Sequence, residues 1–453
     1  TGTVTLGGGS ATEGLFDLQL LSDSLVIAGS IEASNVSLVV DNGTMSMEDG
    51  IRIVTYEDMD LIAHGDIALS QIQTTDGTIT IDAGEGQILD NSDAETSNII
   101  GLTDDALAIM RGGSIGEKRI VGAHNVGDID LNIAKLTDLE AGAGGIYLDS
   151  ARALEIGDAT TTGEFEVRVT TGDLTLNGDQ TGLRAILEVQ QGGLIQQDGV
   201  TLTTIGTSGM AASGDLTVTT LRDITLSTMK VQNGDVNMVS ELGLVEDGTL
   251  ADDADRANLI IFNGQLVEMN AKSIGTKFEG GDINIDALDI DELVAFEGGI
   301  FVGLNGRDGA LANIASATAT DEGADIVLTS GDGMLKVEAA TADDDLRLDV
   351  AGEADTDSLI LGTLRAGGDL TLRSAAGNIL QIVDTDVQAT TAGALTRLGA
   401  GGNITLTAAT NDFADLTVET GEDVHVVDAS ALNLLDVITT GDFTLETQRQ
   451  IAM

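Results

Sequence analysis

The residues of this chain best suited to chemistry are clustered carboxylates. Three clusters stand out, and their members are Asp343, Asp344 and Asp345; Asp286, Asp289, Asp291 and Glu292; and Asp252, Asp253 and Asp255. Calcium takes about six to eight oxygen ligands and uses carboxylates readily. None of the clusters has EF-hand spacing, so the sequence predicts either weak, diffuse calcium binding or a calcium site at one of the first two clusters. It predicts no other cofactor.

The other residue types that could do chemistry do not occur at the spacings that catalytic or metal-binding motifs require. The three histidines, His64, His124 and His425, lie far apart and form no zinc-binding pattern. The chain has no cysteine, which excludes disulfides, thiolate nucleophiles and cysteine-ligated zinc. No phosphate-binding or nucleophile-elbow motif occurs where a strand leads into a helix. We therefore predict that the protein is not an enzyme.

A polysaccharide lyase or hydrolase is the alternative. Enzymes of this kind on parallel β-helices use carboxylates together with Arg or Lys on one face. Sugar sites also use aromatic platforms, and this chain has two Tyr and no Trp. The alternative predicts a groove in which carboxylates converge with at least one Arg or Lys.

The charge balance restricts the partners. The net charge is −55, from 75 acidic and 20 basic residues spread over the chain, which excludes nucleic-acid backbones as a partner. Such a surface is solvated and self-repelling, or else it is adapted to high salt or bridged by divalent cations. No run of apolar residues is long enough for a membrane span, so we expect no membrane insertion.

One short phrase recurs along the chain, and it must build the framework. Examples are GDLTLN from Gly172, GDLTVT from Gly214, GDINID from Gly281, GGDLTL from Gly367 and GNITLT from Gly402. In each phrase apolar and polar residues alternate with period two, which predicts a strand. The Gly-Asp or Gly-Asn start is typical of a turn, since both residue types tolerate left-handed backbone at low cost.

The spacing of the phrases indicates stacked units. The first core residues of three successive phrases, Ile404, Val424 and Phe443, are 20 and 19 residues apart. A longer imperfect repeat relates residues 114–160 to residues 273–315, with a weaker echo around 400–435. SIGEK from Ser114, for example, returns as SIGTK from Ser273.

These observations predict an all-β fold, a β-solenoid of the right-handed parallel β-helix type with coils of about 20 residues. A unit this short cannot bury its own apolar face, but stacked units can. Proline cannot donate to a strand ladder, and the chain contains none. We expect one continuous solenoid over residues 1–453, with loop excursions at the Asp- and Ala-rich segments 90–112, 246–259, 304–324 and 339–357.

The phrases carry a family resemblance. GGDLTLRSAAGNILQ, AGGNITLTAAT, ASGDLTVTTLRDITLS and the SIGEK/SIGTK elements resemble the repeats of filamentous-haemagglutinin-type adhesins, which are large bacterial exoproteins. The similarity covers most of the chain, best at 120–300 and 360–445. It implies a β-helical shaft that carries no catalytic or binding residues of its own.

The resemblance implies an extracellular or cell-surface module that is structural or adhesive. The expected partners are other copies of the chain, through end-to-end or lateral assembly into a filament or layer, or further segments of a longer chain. A host or neighbouring cell surface is a further expected partner. The family's secretion domain carries asparagine–proline motifs, and this proline-free chain has none.

Overall fold

The computed structural model describes most of the chain. The described residues are 3–20, 24–92, 96–118, 120–121, 124–125, 127–207, 213–249, 256–277, 281–305, 310–449 and 451–452. Strands and turns account for their regular structure, and there is no helix among them. This part of the chain accordingly has no helix that is long and apolar enough to cross a membrane. The prediction of an all-β fold is confirmed.

The chain divides into two compact units, Thr1–Arg222 and Asp223–Met453. In each unit parallel strands stack as a β-solenoid, and the two units together contain about 18 turns of about 22 residues. The predicted β-solenoid with short coils is therefore confirmed. Its right-handed sense and its continuity over residues 1–453 stay predictions.

The strands of the first unit are short and closely spaced. They are β1 Thr3–Leu6, β2 Gly9–Leu20, β3 Ser24–Ile27, β4 Ile31–Val40, β5 Thr44–Met47, β6 Arg52–Thr55, β7 Met59–Ala63, β8 Ile67–Leu69, β9 Gln71–Thr74, β10 Thr78–Asp82, β11 Gln87–Asp90, β12 Ile99–Gly101, β13 Leu107–Gly112, β14 Ser114–Ile115, β15 Ile120–Val121, β16 His124–Asn125, β17 Ile129–Asn132, β18 Lys135–Ala141, β19 Ile146–Ser150, β20 Leu154–Thr161, β21 Glu164–Val169, β22 Leu174–Leu176, β23 Gln180–Gly182, β24 Arg184–Val189, β25 Leu194–Gln196, β26 Thr201–Ile205 and β27 Leu216–Thr220.

The second unit continues the same pattern. Its strands are β28 Ile224–Leu226, β29 Thr228–Gln232, β30 Val236–Ser240, β31 Val245–Asp247, β32 Leu259–Phe262, β33 Leu266–Ala271, β34 Ile283–Asp286, β35 Asp289–Ala295, β36 Ile300–Leu304, β37 Leu311–Ala319, β38 Ile326–Ser330, β39 Met334–Ala342, β40 Leu346–Val350, β41 Leu359–Ala366, β42 Leu370–Ser374, β43 Ile379–Gln381, β44 Val387–Ala389, β45 Leu395–Ala400, β46 Ile404–Leu406, β47 Asp412–Phe413, β48 Asp415–Thr420, β49 Val424–Asp428, β50 Leu432–Val437, β51 Phe443–Thr447 and β52 Ile451–Ala452.

Strand pairing is parallel and stacks like residues on like. In the second unit Ile326 of β38 pairs with Ile300 of β36 and with Leu346 of β40, and Leu346 pairs in turn with Leu370 of β42. All four side chains are fully buried. Every second residue of a strand points inward. Because the strands pair in register, these inward aliphatic side chains stack in columns that run from turn to turn. The pair β15–β16 is antiparallel and stands apart from the ladder.

The Asp or Asn of the repeated phrase links one turn to the next. Asp345 Oδ1 accepts the backbone N–H of Asp369 at 2.8 Å, and Asp369 Oδ1 accepts that of Leu395 at 2.8 Å. Asn378 Oδ1 accepts the N–H of Asn403 at 2.8 Å in a parallel series. We call such a series an Asx ladder. It satisfies backbone donors at the turns, where strand pairing does not reach.

The glycine of the phrase is required mainly for close approach. A Cβ on Gly367 would lie 1.7 Å from the carbonyl oxygen of Asp343, and one on Gly192 would lie 2.1 Å from that of Gly172. Left-handed backbone occurs at Gly172, where φ is 87°. The φ values of Gly367 and Gly402 lie outside the left-handed region.

The segments expected to be loop excursions contain strands as well as loops. Strand β13 lies in segment 90–112, β37 in 304–324, and parts of β39 and β40 in 339–357. Strand β37 is paired on both sides, with β35 and with β39, so these segments continue the ladder. In segment 246–259 the ladder strands reach Asp247 and resume at Leu259, and residues 250–255 lie outside the described residues.

Candidate functional site

A groove of about 580 Å³ lies on the surface of the second unit. We call it the unit-two groove. Its charged lining residues are Lys277, Arg347, Arg397, Asp282, Asp325, Asp345 and Asp369. Carboxylates and basic side chains therefore converge there, as the alternative enzyme hypothesis requires.

Strand register brings the carboxylates together. Asp325, Asp345 and Asp369 each immediately precede a buried strand, namely β38, β40 and β42. Because these strands pair in register, the preceding residues stack at the same edge. The Asx ladder holds this stack, since Asp325 Oδ1 accepts the N–H of Asp345 at 3.2 Å.

Each basic side chain of the groove has an acidic partner. Lys277 Nζ donates to Oδ2 of Asp325, a residue only 5% exposed. The hydrogen bond and charge of Asp325 raise the pKa of Lys277. Arg397 Nη1 lies 2.9 Å from Asp369 Oδ2. Arg347 Nη2 lies 2.7 Å from Oδ2 of Asp349.

Negative charge gathers at and beside the groove, where Asp325 and Asp345 line it and Asp344 lies next to Asp345 in the chain. Asp325, Asp344 and Asp345 each place a carboxylate oxygen within 4.8 Å of the other two, and within the described ranges this is the one such group of three or more metal-ligating side chains. Desolvation raises the pKa of Asp344, and the charges of Asp345 and Asp325 raise it further. This cluster can attract a cation.

Of the three clustered aspartates between β39 and β40, the structure brings two close to Asp325. Asp344 and Asp345 join Asp325, whereas Asp343 Oδ2 accepts the N–H of Gly323 at 3.0 Å. Asp325 was missed from the sequence because it is 19 residues from Asp344. The available signal was its place directly before an alternating strand, IVLTS, like the Asp of a GD phrase.

The other predicted carboxylates do not join this group. Asp286 ends β34, while Asp289 and Asp291 lie on β35. Asp291 Oδ2 accepts a hydrogen bond from Gln265 Nε2 at 3.1 Å. Asp252, Asp253 and Asp255 lie outside the described residues. Among the described residues, Asp286, Asp289, Asp291 and Glu292 therefore form no shared metal-binding group.

The first unit contains an equivalent of this site. Parallel pairing defines one column in each unit: Ile115, Ile146, Phe165 and Ala185 in the first, and Ile274, Ile300, Ile326 and Leu346 in the second. Ile115 of the SIGEK repeat and Ile274 of the SIGTK repeat are the first residues named in each column. Lys118 and Lys277 each follow the first column residue by three positions, so they are structural equivalents.

The acidic partners of the two lysines are equivalent too. Glu164 precedes Phe165 as Asp325 precedes Ile326. In the first unit Lys118 Nζ and Arg184 Nη2 each lie 2.6 Å from Glu164 Oε1. We call this group the unit-one site.

Electrostatics in the unit-one site follow from burial. Burial raises the pKa of Glu164, but hydrogen bonds and charges from Arg184 and Lys118 outweigh it, and the net pKa is lowered. The hydroxyl of Tyr147 lies 3.4 Å from Glu164 Oε2. Burial, with the nearby Glu164 charge, raises the pKa of Tyr147 to about 12. The buried carboxylate is thus ionised and held by two cations.

Besides Asp325 in place of Glu164, two residue differences distinguish the unit-two groove from the unit-one site. Phe301 follows Ile300 where Tyr147 follows Ile146, so the phenol hydroxyl is missing. Asp345 precedes Leu346 where Arg184 precedes Ala185, so an acid replaces the second cation. The second unit therefore keeps the lysine–carboxylate pair and loses the guanidinium.

The fold and these sites define a repeat β-solenoid module. Residues 343–419 match a family model described as repeats of unknown function (DUF5649). The matched segment runs from β40 to β48 and contains the Asx ladders through Asp345 and Asn378, which fits a repeat β-helix protein. No curated protein and no solved structure matches the chain.

Proposed function

We propose that this β-solenoid is a structural and adhesive module of a large bacterial surface or secreted protein. The observation that carries the proposal is the Asx ladder. In several phrases the recurring polar residue accepts a hydrogen bond from the backbone of the next turn, as Asp369 does from Leu395 and Asn403 from Asp423. The recurrent use of these side chains is therefore structural, since their hydrogen bonds join one turn to the next and make the solenoid rigid.

Assembly with further β-structure is part of this proposal. In the last turns Phe443 and Leu445 lie over Val424 and Val426, continuing the apolar columns. Val424 and Val426 are fully buried, whereas Phe443 and Leu445 are only half-buried. A stacked strand from another copy, or from further segments of a longer chain, would cover them. The high negative charge suits lateral bridging by divalent cations.

Electron microscopy of the purified protein, with and without a calcium chelator, tests the assembly. Filaments or sheets that dissociate on chelation would support a cation-bridged structural protein. Separate thin particles that do not respond to the chelator would refute bridging and favour a passive shaft segment.

Protease treatment of intact producing cells tests the location. We expect cleavage of the protein while a cytoplasmic marker stays intact. Protection of both proteins until the cells are lysed would refute a cell-surface location. The adhesive role is tested by binding of the purified module to cultured cells or to neighbouring bacteria. An acidic control protein in the same buffer should bind less.

The unit-two groove favours a second candidate, a polysaccharide-acting enzyme. It combines Lys277, Arg347 and Arg397 with stacked carboxylates. Incubation with acidic and neutral polysaccharides, followed by assays for reducing ends and for unsaturated uronic products, tests this candidate. Activity of the wild type that is lost in Lys277→Met would establish that the protein is an enzyme and would refute the hypothesis of a passive shaft.

A further inference from the structure

We propose that Asn42 is a site of spontaneous deamidation, at which the backbone nitrogen of Gly43 closes a succinimide ring on the Asn42 side chain. The ring then opens with water and leaves aspartate or isoaspartate. This modification is chemistry that the chain carries out on itself, so it does not depend on the location or the partners of the protein.

An asparagine followed by glycine is the sequence in which this reaction meets the least hindrance, because glycine has no Cβ beside the attacking nitrogen. Four such pairs lie wholly within the described residues, namely Asn42–Gly43, Asn177–Gly178, Asn233–Gly234 and Asn263–Gly264. The asparagine must rotate to bring its Cγ atom to the glycine nitrogen. The contacts that hold each asparagine in place therefore decide which pair reacts.

Asn177 is held through its side chain and its backbone. Its Nδ2 donates to Glu155 Oε1 at 2.7 Å, and its N–H donates to the carbonyl oxygen of Ile156 at 2.7 Å. The next residue, Gly178, packs closely on the neighbouring turn, since a Cβ there would lie 2.5 Å from the carbonyl carbon of Gly157. Rotation at this pair must break these contacts first.

Asn233 and Asn263 hold each other across one turn of the solenoid. Asn263 Nδ2 donates to Asn233 Oδ1 at 3.1 Å, and the N–H of Asn233 donates to the carbonyl oxygen of Phe262 at 2.8 Å. Both asparagines have left-handed backbone, with φ of 56°. Gly264 lies so close to Gly234 that a Cβ on it would be 1.8 Å from the Gly234 carbonyl oxygen. These two pairs thus form a packed stack.

Asn42 lies in the turn between β4 and β5, and it is exposed. Within the described part of the chain its side-chain amide makes no hydrogen bond. The carbonyl oxygen of Gly43 accepts the N–H of Gly65 at 2.9 Å, but this bond does not involve the nitrogen that attacks. Among the four pairs, this is the one in which the asparagine side chain can rotate without breaking a hydrogen bond.

The reaction needs only the chain and one water molecule. A base in solution takes the proton of the Gly43 N–H, and the nitrogen forms a bond to Cγ of Asn42. The bond between Cγ and Nδ2 breaks, and ammonia leaves with a proton returned from solvent. Water that then breaks the new bond to Cγ gives aspartate. Water that instead breaks the bond between this nitrogen and the backbone carbonyl carbon gives isoaspartate.

The strand that follows the turn favours aspartate over isoaspartate. Isoaspartate places the Cβ atom in the main chain and lengthens the backbone directly before β5. Met45 of β5 is 1% exposed, and it pairs with Leu25 of β3 and with Ile67 of β8. A longer backbone works against this register. The share of isoaspartate should therefore be lower in the folded protein than in the unfolded chain.

Incubation of the full chain at mildly alkaline pH, followed by peptide mass spectrometry, tests the proposal. The replacement of –NH2 by –OH changes the peptide mass, and methylation by an isoaspartyl methyltransferase identifies isoaspartate. We expect Asn42 to react roughly fivefold or more faster than Asn177 and Asn263, the factor in rate that one hydrogen bond of ordinary net strength supplies. In urea, where these contacts are lost, the four rates should converge.

Two variants separate the proposed cause from the sequence pair itself. Asn233→Gly removes the acceptor for Asn263 Nδ2, and glycine suits the left-handed backbone at this position, so the fold is preserved. We expect the rate at Asn263 to rise roughly fivefold, with no change at Asn42. Asn42→Gln is the matched control, since glutamine would have to close a larger ring. It should abolish the reaction at residue 42 and leave the other three rates unchanged.

Three results would overturn the proposal. Equal rates at Asn42 and Asn263 in the folded chain would show that the hydrogen bonds do not select the site. Reaction at Asn42 in urea but not in the folded chain would show that the turn keeps the Gly43 nitrogen away from Cγ. An unchanged rate at Asn263 in Asn233→Gly would refute protection by the stacked asparagines.

Discussion

Asn378 accepts, through its Oδ1, a hydrogen bond from the backbone N–H of Asn403 at 2.8 Å, one turn further along the solenoid. Asn403 then accepts the N–H of Asp423 at 3.0 Å. Asparagine and aspartate thus serve the same ladder, because only the acceptor oxygen is used. The negative charge of the protein is therefore not required for this contact.

The Asx ladder can be tested at Asn403. Asn403→Ala leaves the N–H of Asp423 without its acceptor, and we expect a loss of about 1 kcal/mol in the free energy of unfolding. Asn403→Asp keeps the acceptor and should stay near the wild type. Urea denaturation and hydrogen exchange at the Asp423 amide measure the effect. Equal stability of the two variants would contradict a bonding role for the ladder.

The close approach of turns can be tested with a pair of glycines. Gly367→Ala would place a Cβ 1.7 Å from the carbonyl oxygen of Asp343. We expect it to lower stability by about 1–3 kcal/mol, since backbone must shift. Gly331 has nothing within 4 Å of its Cβ position, so Gly331→Ala should be neutral or slightly stabilising. Thermal unfolding of both variants decides, and a similar midpoint for both would refute the steric argument.

The unit-one site predicts a pH-dependent loss for Arg184→Gln. Burial raises the pKa of Glu164, yet its two cationic partners lower it overall, so its ionised form stabilises the native state above the unfolded-state pKa. That contribution disappears as the pH falls through the native-state pKa. Removal of Arg184 should cost about 1–3 kcal/mol at neutral pH, and the difference from wild type should shrink in acid.

Unfolding midpoints between neutral and acidic pH measure this difference. Arg152→Gln is the control, because Arg152 pairs with Asp104, whose side chain is 83% exposed. An exposed pair of this kind contributes about 0–1 kcal/mol. A cost for Arg184→Gln that does not change with pH would show that the guanidinium acts by packing alone.

Asp428 predicts the opposite pH trend. It is fully buried, and desolvation raises its pKa although the N–H groups of Phe413 and Ser430 bond to it. A raised pKa in the native state means that stability is highest below the unfolded-state pKa and falls as the pH rises through the native-state pKa. Asp428→Asn lacks this titration, so wild type should lose stability relative to the variant as the pH rises. A constant difference across that range would contradict the prediction.

The local sequence pattern was sufficient to predict the strands and the length of one solenoid turn. Alternation in GDLTL or GNITL depends on neighbours two residues apart, and the spacing of Ile404, Val424 and Phe443 reports the length of a turn directly. Both follow from the chain itself, because a strand has period two and a short unit must stack to bury its face. The fold class could therefore be predicted.

Segments 304–324 and 339–357 were expected to be loops, yet each contains strand residues, and some inward positions of these strands are alanines. Ala317 pairs with Ala340 and Ala319 with Ala342, all buried within β37 and β39. Alanine gives little apolar signal, and surrounding Asp and Glu resemble a solvated loop. Pairing on both sides supplies the strand structure that composition does not show.

The sequence alone determined the stacked β-architecture, its aliphatic columns and its acidic surface, since these depend on residue types and short spacings. Only the tertiary structure decided which carboxylates meet. Asp325, Asp344 and Asp345 converge because β38 and β40 pair in a particular register, and the residue spacing between turns varies along the chain. The same register sets Glu164 against Arg184 in one unit and Asp325 against Asp345 in the other, so the residue types at these paired positions decide between an ion pair and two stacked carboxylates.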